Sequence, residues 1–296
     1  MDKNNAFARS LLSAQKLPAL TASYFRALMA LGTKAPESLT AEVLLPALPD
    51  PMEYLTLCQH PSQHSAPCWF QVASFPLQLY LLTQRRFPLA AIGLVHLMNR
   101  IDVLAPPDPL SPVRMVVHSG LPEPHAKGQL VWLETACYQH GQLVWRSRAS
   151  YLQRQHKSKP KMDRQPSTEP GIVLSLPRQS TLWTLPVSLG WRYGRLSGDL
   201  NPIHLHPLLA RLFGFKANIA HGMWSKARCL AELAAQGALP ELPYQVEVRF
   251  DKPILLPATV QCHWQSKKDG CNFALLSADG ALCHLQGTIM PIRNDC

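Results

Sequence analysis

A carboxylate, an amide and an imidazole fall close together in Ser197-Gly198-Asp199-Leu200-Asn201-Pro202-Ile203-His204, and Ile219-Ala220-His221-Gly222-Met223 follows soon after. A carboxylate and a His held side by side can move protons between water and carbon. A backbone N–H where a helix begins can stabilise an oxyanion, because the positive end of the helix dipole lies behind it. Taken singly, Asp199 and Asn201 are ordinary turn residues, and a lone His before a helix is usually a cap or a packed side chain. Asp199 and His204 are five residues apart, so neither a plain strand nor a plain helix sets them on one face. Gly198 and Pro202 instead point to a loop that turns between them. Pro207 suits the first turn of a short helix to Leu212, which stops at Gly214.

The elements that must hold this loop occur twice. In the second half, Met223, Ala227, Leu230, Ala231 and Ala234 form an apolar stripe of helical period, stopped by Gly237 and Pro240. Strand candidates follow at Val246–Ile254, Thr259–Trp264, Asn272–Ser277 and Ala281–Ile289, the last two flanking an Asp279-Gly280 turn. In the first half, Leu77–Arg86 is the helix candidate. Val95–Ile101, Val113–His118, Leu130–Tyr138 and Leu143–Tyr151 are its strands, the last pair flanking His140-Gly141. An additional helix is expected over Ala19–Leu31. Tyr54 and Pro61 match Tyr193 and Pro202, yet no Asp, Asn and His follow in the first half with the second half's spacing. Each half thus reads as an antiparallel sheet wrapped around one central helix, an α+β architecture. The first half has the shell without the reactive groups.

The bulk composition narrows the field. The 296 residues carry a net charge of +10, with 47% hydrophobic and 16% charged residues, which fits a globular chain with a large core. Arg154, Lys157, Lys159, Lys161 and Arg164 concentrate in a polar, Pro-containing stretch from about Gln153 to Gly171. That composition reads as a solvated linker and not as a nucleic-acid groove reader, so no nucleic-acid partner is expected. No apolar run approaches the roughly 20 residues that span a bilayer, and no leader pattern opens the chain, so a soluble, cytoplasmic protein without a membrane partner is expected. The eight Cys show no Cys-x-x-Cys pair and no metal spacing with His; they read as reduced, packed thiols.

The run from Ser197 to Met223 resembles the signature of MaoC-like dehydratases, the (R)-specific enoyl-CoA hydratases. The resemblance rests on Gly-Asp-x-Asn-Pro-x-His, Ala210, Gly214-Phe215 and Ile-Ala-His-Gly-Met. The tandem halves resemble that family's two-domain branch, which implies a double hot-dog. On this resemblance residues 1–152 form a catalytically degenerate hot-dog-like domain that makes room for the acyl chain. Residues 153–171 form the linker, and 172–296 the catalytic hot-dog domain. The resemblance further implies reversible syn hydration of trans-2-enoyl thioesters to (R)-3-hydroxyacyl thioesters, with Asp199 and His204 as the catalytic pair. Asn201 would orient that pair and the substrate, and the Gly222 amide would form the oxyanion hole. Ser197, Gly198 and His221 would line the pocket.

No metal or other cofactor is implied beyond the phosphopantetheine of the substrate, which is an acyl-CoA or acyl carrier protein. The chain departs from many relatives at His206, where they carry Asp; a cap for the Pro207 helix is the plain reading. Arg249, Lys252, Lys216 and Arg85 are candidates for the CoA phosphates by charge alone. A hot-dog thioesterase and a non-catalytic acyl-CoA-binding protein are the competing functions. Two fused hot-dog units are compatible with a monomer or a homodimer.

Overall fold

The protein is described by a computed structural model over residues 11–14, 19–20, 22–24, 37–61, 66–87, 89–91, 93–154 and 179–293. The strands of the first half are β1 (Leu11–Ala14), β2 (Thr40–Leu45), β3 (Leu94–Val103), β4 (Val113–Ser119), β5 (Glu123–His125), β6 (Gly128–Gln139) and β7 (Gln142–Arg154). Its helices are α1 (Met52–Cys58), α2 (Trp69–Ala73) and α3 (Phe75–Leu82). The second half comprises β8 (Gln179–Leu185), α4 (Leu189–Ser197), α5 (Pro202–Leu205), α6 (Pro207–Leu212), α7 (Gly222–Ala235), β9 (Tyr244–Phe250), β10 (Ala258–Lys267), β11 (Gly270–Ser277) and β12 (Cys283–Pro291).

All strands join one sheet in the order β1-β2-β4-β6-β7-β3-β9-β12-β11-β10-β8, with β5 against β6. The order β2-β4-β6-β7-β3 is the mirror of β9-β12-β11-β10-β8, so the two halves carry the same curled sheet and meet edge to edge. The seam is the antiparallel β3–β9 pair, from Met98 opposite Arg249 to Val103 opposite Tyr244. Pairing the two edges satisfies a row of backbone groups that each half alone would expose. Alternation along β4 and β10 turns one face to the helices and the other to solvent. A single hydrophobic cluster, including Tyr54, Trp145, Leu230 and Phe273, runs through both halves. This is the double hot-dog architecture expected of the sequence.

Two helices differ from the sequence expectation. The first-half helix begins at Trp69 rather than Leu77, and it breaks at Ser74 into α2 and α3. Pro76 accounts for the break: it has no N–H, and its ring would collide with the carbonyl of Val72 in a continuous helix. The central helix α7 is buried from Trp224 to Ala234 and not merely along its apolar stripe, because the sheet curls around it. Its polar side chains are therefore paired. Arg228 bonds Glu232 at 3.1 Å and lies over the Trp183 ring at 4.2 Å, and Glu232 accepts from Thr181 at 3.0 Å.

Lys226 is fully buried. Its Nζ donates to Asn99 Oδ1 at 2.6 Å, Asn99 O at 3.1 Å and Val246 O at 3.3 Å, across the seam. Three acceptors require the three N–H of an ammonium, although burial pushes its pKa down to about 8. Lys226→Met is expected to cost about 1–3 kcal/mol of unfolding free energy, because the Asn99 amide is left in an apolar seam without its partner. The double variant Lys226→Met/Asn99→Leu should recover much of that loss. Urea titrations of the three proteins check this.

The expected helix over Ala19–Leu31 is seen only as a turn at residues 20 and 22–24; its remainder lies outside the described residues. So does the expected linker beyond Arg154, where β7 ends. The described cysteines are free thiols, and all but the half-buried Cys283 are buried. No described helix is long and apolar enough to cross a membrane.

Candidate active site

Three glycines four residues apart, Gly190, Gly194 and Gly198, keep one face of α4 flat, and the candidate loop packs directly on it. A Cβ on Gly190 would lie 2.0 Å from the backbone oxygen of His204. One on Gly194 would lie 2.9 Å from the backbone oxygen of Asp199 and 3.6 Å from His221 Cε1. The helix ends at Gly198 with φ +78°, a left-handed cap that glycine adopts without strain. Ser197 Oγ donates to Tyr193 O at 2.8 Å and accepts from the Asp199 N–H at 3.2 Å. Ser197 and Gly198 thus shape the turn that projects Asp199.

Beyond the turn, Asp199 Oδ1 accepts from the Asn201 N–H at 3.3 Å. Asn201 caps α5, its Oδ1 accepting from the Ile203 N–H at 3.5 Å, with Pro202 in the first turn. This short helix carries His204 back toward Asp199, which is how two residues five apart come to share a site. The buried Asn218 ties the loop before α7 to the site, its Nδ2 donating to Val187 O at 3.0 Å and to His204 O at 3.3 Å. His206 caps α6, its Nδ1 accepting from the Leu208 N–H at 3.2 Å, as its plain reading requires.

His204 Nδ1 lies 2.8 Å from Ile219 O. A carbonyl only accepts, so Nδ1 carries the proton, and in the neutral ring Nε2 holds the free lone pair. Burial lowers the His204 pKa, opposed by the Asp199 charge and the Ile219 bond. The ring stacks on His221 with centroids 3.7 Å apart. His221 Nε2 donates to Asp199 O at 3.0 Å and stands 3.9 Å from Asp199 Oδ2. Its pKa is held well below the usual imidazole range by burial, then by the neighbouring His204.

Ligand atoms of Asp199, His204 and His221 lie within 4.8 Å of one another, a grouping of the kind that holds metal ions. The lone pairs of imidazoles lie in the ring planes, however, and those of stacked rings run side by side instead of converging. The arrangement suits proton transfer better than chelation.

Gly222 is the first residue of α7, and His221 before it offers the helix no side-chain cap. The N–H groups of that first turn therefore have neither a side-chain cap nor an intrahelical acceptor. A Cβ on Gly222 would meet the Phe250 ring at 3.0 Å. Phe250 in turn lies 4.9 Å from His96, which stacks on Tyr151 at 4.6 Å. Both residues come from the first half. Burial and then Lys226 lower the His96 pKa to about 3; burial and the Asp199 charge raise that of Tyr151. Tyr24 also reaches the loop, its hydroxyl donating to Gly198 O at 2.8 Å.

Sequence reasoning missed His96, Tyr151 and Tyr24, which arrive from distant chain segments, and Asn218, which lies inside the motif run. The four-residue glycine spacing in α4 was the one local signal that a backbone packs there. Of the phosphate candidates, Arg249 is engaged with Asp251 at 2.7 Å.

The first half shows what stands in place of these groups. Tyr54 and Tyr193 each precede a left-handed cap by five residues, Gln59 at φ 52° and Gly198 at φ 78°. His60 therefore stands where Asp199 does, with its Nδ1 bonded to Pro61 O at 3.0 Å. Trp69, its ring tilted against Tyr54 at 5.2 Å, opens its helix where Gly222 opens α7. A polar network of Gln71, Ser74, Gln78 and Ser147 fills the ground beneath.

Comparisons with known proteins agree with this reading of the fold. A family model described as a MaoC like domain matches residues 158–275. The 3-hydroxyacyl-thioester dehydratase X of Mycobacterium tuberculosis is 31% identical over 216 residues, covering 73% of this chain and 75% of that protein. The crystal structure of HtdX from the same organism matches with a TM-score of 0.70 at 27% identity, covering 86% of this chain and 100% of that one. Full-length peroxisomal multifunctional enzyme type 2 of Drosophila melanogaster shares the fold, with a TM-score of 0.61 at 18% identity, over 86% of this chain and 48% of that one. The chain belongs to the MaoC-like dehydratase family. It is a hydro-lyase with the hydratase and dehydratase activity general to that family.

Proposed function

We propose that this hydro-lyase adds water reversibly and syn to trans-2-enoyl thioesters, giving (R)-3-hydroxyacyl thioesters, at Asp199 and His204. The observation that carries the proposal is the meeting of the Asp199 carboxylate and neutral His204 beside the uncapped start of α7. The pinned Nδ1–H of His204 leaves Nε2 to accept a proton from the attacking water or return it, with Asp199 as its partner. Asn201 holds the loop on which both sit. The Gly222 N–H binds the thioester oxygen as it gains charge in the enolate-like transition state, with the helix dipole behind it.

The reaction runs on these groups alone, without a metal or other cofactor beyond the phosphopantetheine of the substrate. That substrate is a thioester of CoA or of an acyl carrier protein. The first half takes the role of a wall for the acyl chain, since Trp69 and His60 stand where the second half has Gly222 and Asp199, and His96 and Tyr151 lie beside the site.

The test is incubation with crotonyl-CoA and longer enoyl-CoAs, following loss of the conjugated double bond and release of free thiol in parallel. Loss of the enoyl chromophore without thiol release is expected. Thiol release would favour hydrolysis, and tight binding without either change would favour a carrier of acyl-CoA.

A further inference from the structure

The segment between β1 and β2 reaches across the molecule to the candidate loop. Tyr24 belongs to a helical turn whose Leu20 packs on Gly198, with Leu20 Cδ1 2.7 Å from where a Cβ on that glycine would sit. The Tyr24 hydroxyl donates to Gly198 O at 2.8 Å and accepts from the Leu200 N–H, a donor it shares with Gly198 O at 3.1 Å. Its two bonds therefore fall on the peptide groups on either side of Asp199. The aromatic ring makes the hold rigid, because only two side-chain torsions separate the hydroxyl from its backbone.

We propose that Tyr24 is a positioning residue, a clasp from the segment between β1 and β2 that fixes the backbone orientation of Asp199 and hence the aim of its carboxylate. This rests on the hydration chemistry proposed above. A hydrogen-bonded hydroxyl between two peptides resists rotation of the peptide planes that carry Asp199. Losing it lets the carboxylate wander on the scale of an ångström, a displacement that costs up to about 10²-fold in rate.

The experiment is a double-mutant cycle in the full-length protein with crotonyl-CoA. Tyr24→Phe keeps the ring and removes both bonds. It is expected to lower kcat about tenfold or more with KM changed less than about threefold. In an Asp199→Asn background the same change should cost less than about twofold, since nothing is left to aim. Leu20→Ala disturbs the same segment without touching the hydroxyl, and should lower Tm with a much smaller effect on kcat. Tyr24→Leu, which likewise removes both bonds, carries the same cycle should Tyr24→Phe not fold. Wild-type hydration with an unchanged Tyr24→Phe rate overturns the clasp alone. So does a Tyr24→Phe loss that is just as large in the Asp199→Asn background, or one that Leu20→Ala reproduces. Absence of hydration by the wild type overturns both the clasp and the reaction it serves.

Discussion

Asp199→Asn and His204→Ala are each expected to lower kcat for enoyl-thioester hydration by at least ~10²-fold, the lower range for a general acid–base group. Asn retains the shape of Asp199 and its acceptor for the Asn201 N–H, so the loop should keep its form while the carboxylate chemistry is lost. The two groups act on one water, so their losses should not multiply. The double variant should be little worse than the poorer single one.

The pH profile sharpens this expectation. Burial lowers the His204 pKa, and the neutral ring is the form that offers Nε2 as a base. A lowered value means the neutral form persists to more acid pH. The acid limb of kcat/KM should therefore lie below the ordinary imidazole value of 6.5. Asp199 is one of the groups that raise the His204 pKa, so in Asp199→Asn the limb of the residual activity should move lower still. Steady-state kinetics across pH on the three proteins check these expectations. A wild-type rate in either single variant would remove the assigned pair.

Gly190→Ala is expected to rank next, although residue 190 makes no contact with substrate in this account. The added methyl would sit 2.0 Å from the His204 backbone oxygen and 3.0 Å from its carbonyl carbon. Neither is the end of a flexible side chain, so the backbone carrying His204 must move away from α4 by about an ångström or more to reach ordinary packing distance. Displacement of that size at a catalytic group costs up to about 10²-fold in rate. Overpacking should also lower stability by about 1–3 kcal/mol. Gly120→Ala serves as the control, because its methyl would meet only ordinary contacts 3.8 Å away at Trp132. Activity and thermal melts of the two variants separate the close approach at Gly190 from a general cost of glycine replacement. Full activity in Gly190→Ala would mean that the backbone position of His204 does not govern the reaction.

The parts of this molecule that could be read from sequence are those governed by local pattern. Alternation and the His140-Gly141 and Asp279-Gly280 turns marked the strands that became β6, β7, β11 and β12 to within a few residues. Met223, Ala227, Leu230, Ala231 and Ala234 marked α7, and Pro207 and Gly214 bounded α6. The Tyr54–Tyr193 correspondence survives in three dimensions because both residues precede the same kind of left-handed cap. Pro76 was visible as a residue, but its consequence, a second helix upstream at Trp69, depended on the sheet that covers it.

Contacts between distant segments were not legible. Nothing in the local pattern around Lys226 marks its burial, yet the seam between β3 and β9 surrounds it. His96, Tyr151 and Phe250 come together only once that seam forms, and Tyr24 reaches Gly198 across 174 positions of chain. The site motif itself was legible as residue types; the fold of α5 onto a glycine face of α4 is what converts those types into geometry.

The most direct test of the account is the stereochemistry of hydration. Wild-type protein and Asp199→Asn would each be given crotonyl-CoA, and the 3-hydroxybutyryl-CoA formed would be oxidised separately by dehydrogenases specific for the (R) and the (S) alcohol. The wild type is expected to yield product consumed only by the (R)-specific enzyme, and Asp199→Asn to yield at least ~10²-fold less of it in the same time. Product of (S) configuration, free CoA in place of a hydroxyacyl thioester, or equal yields from the two proteins would contradict it.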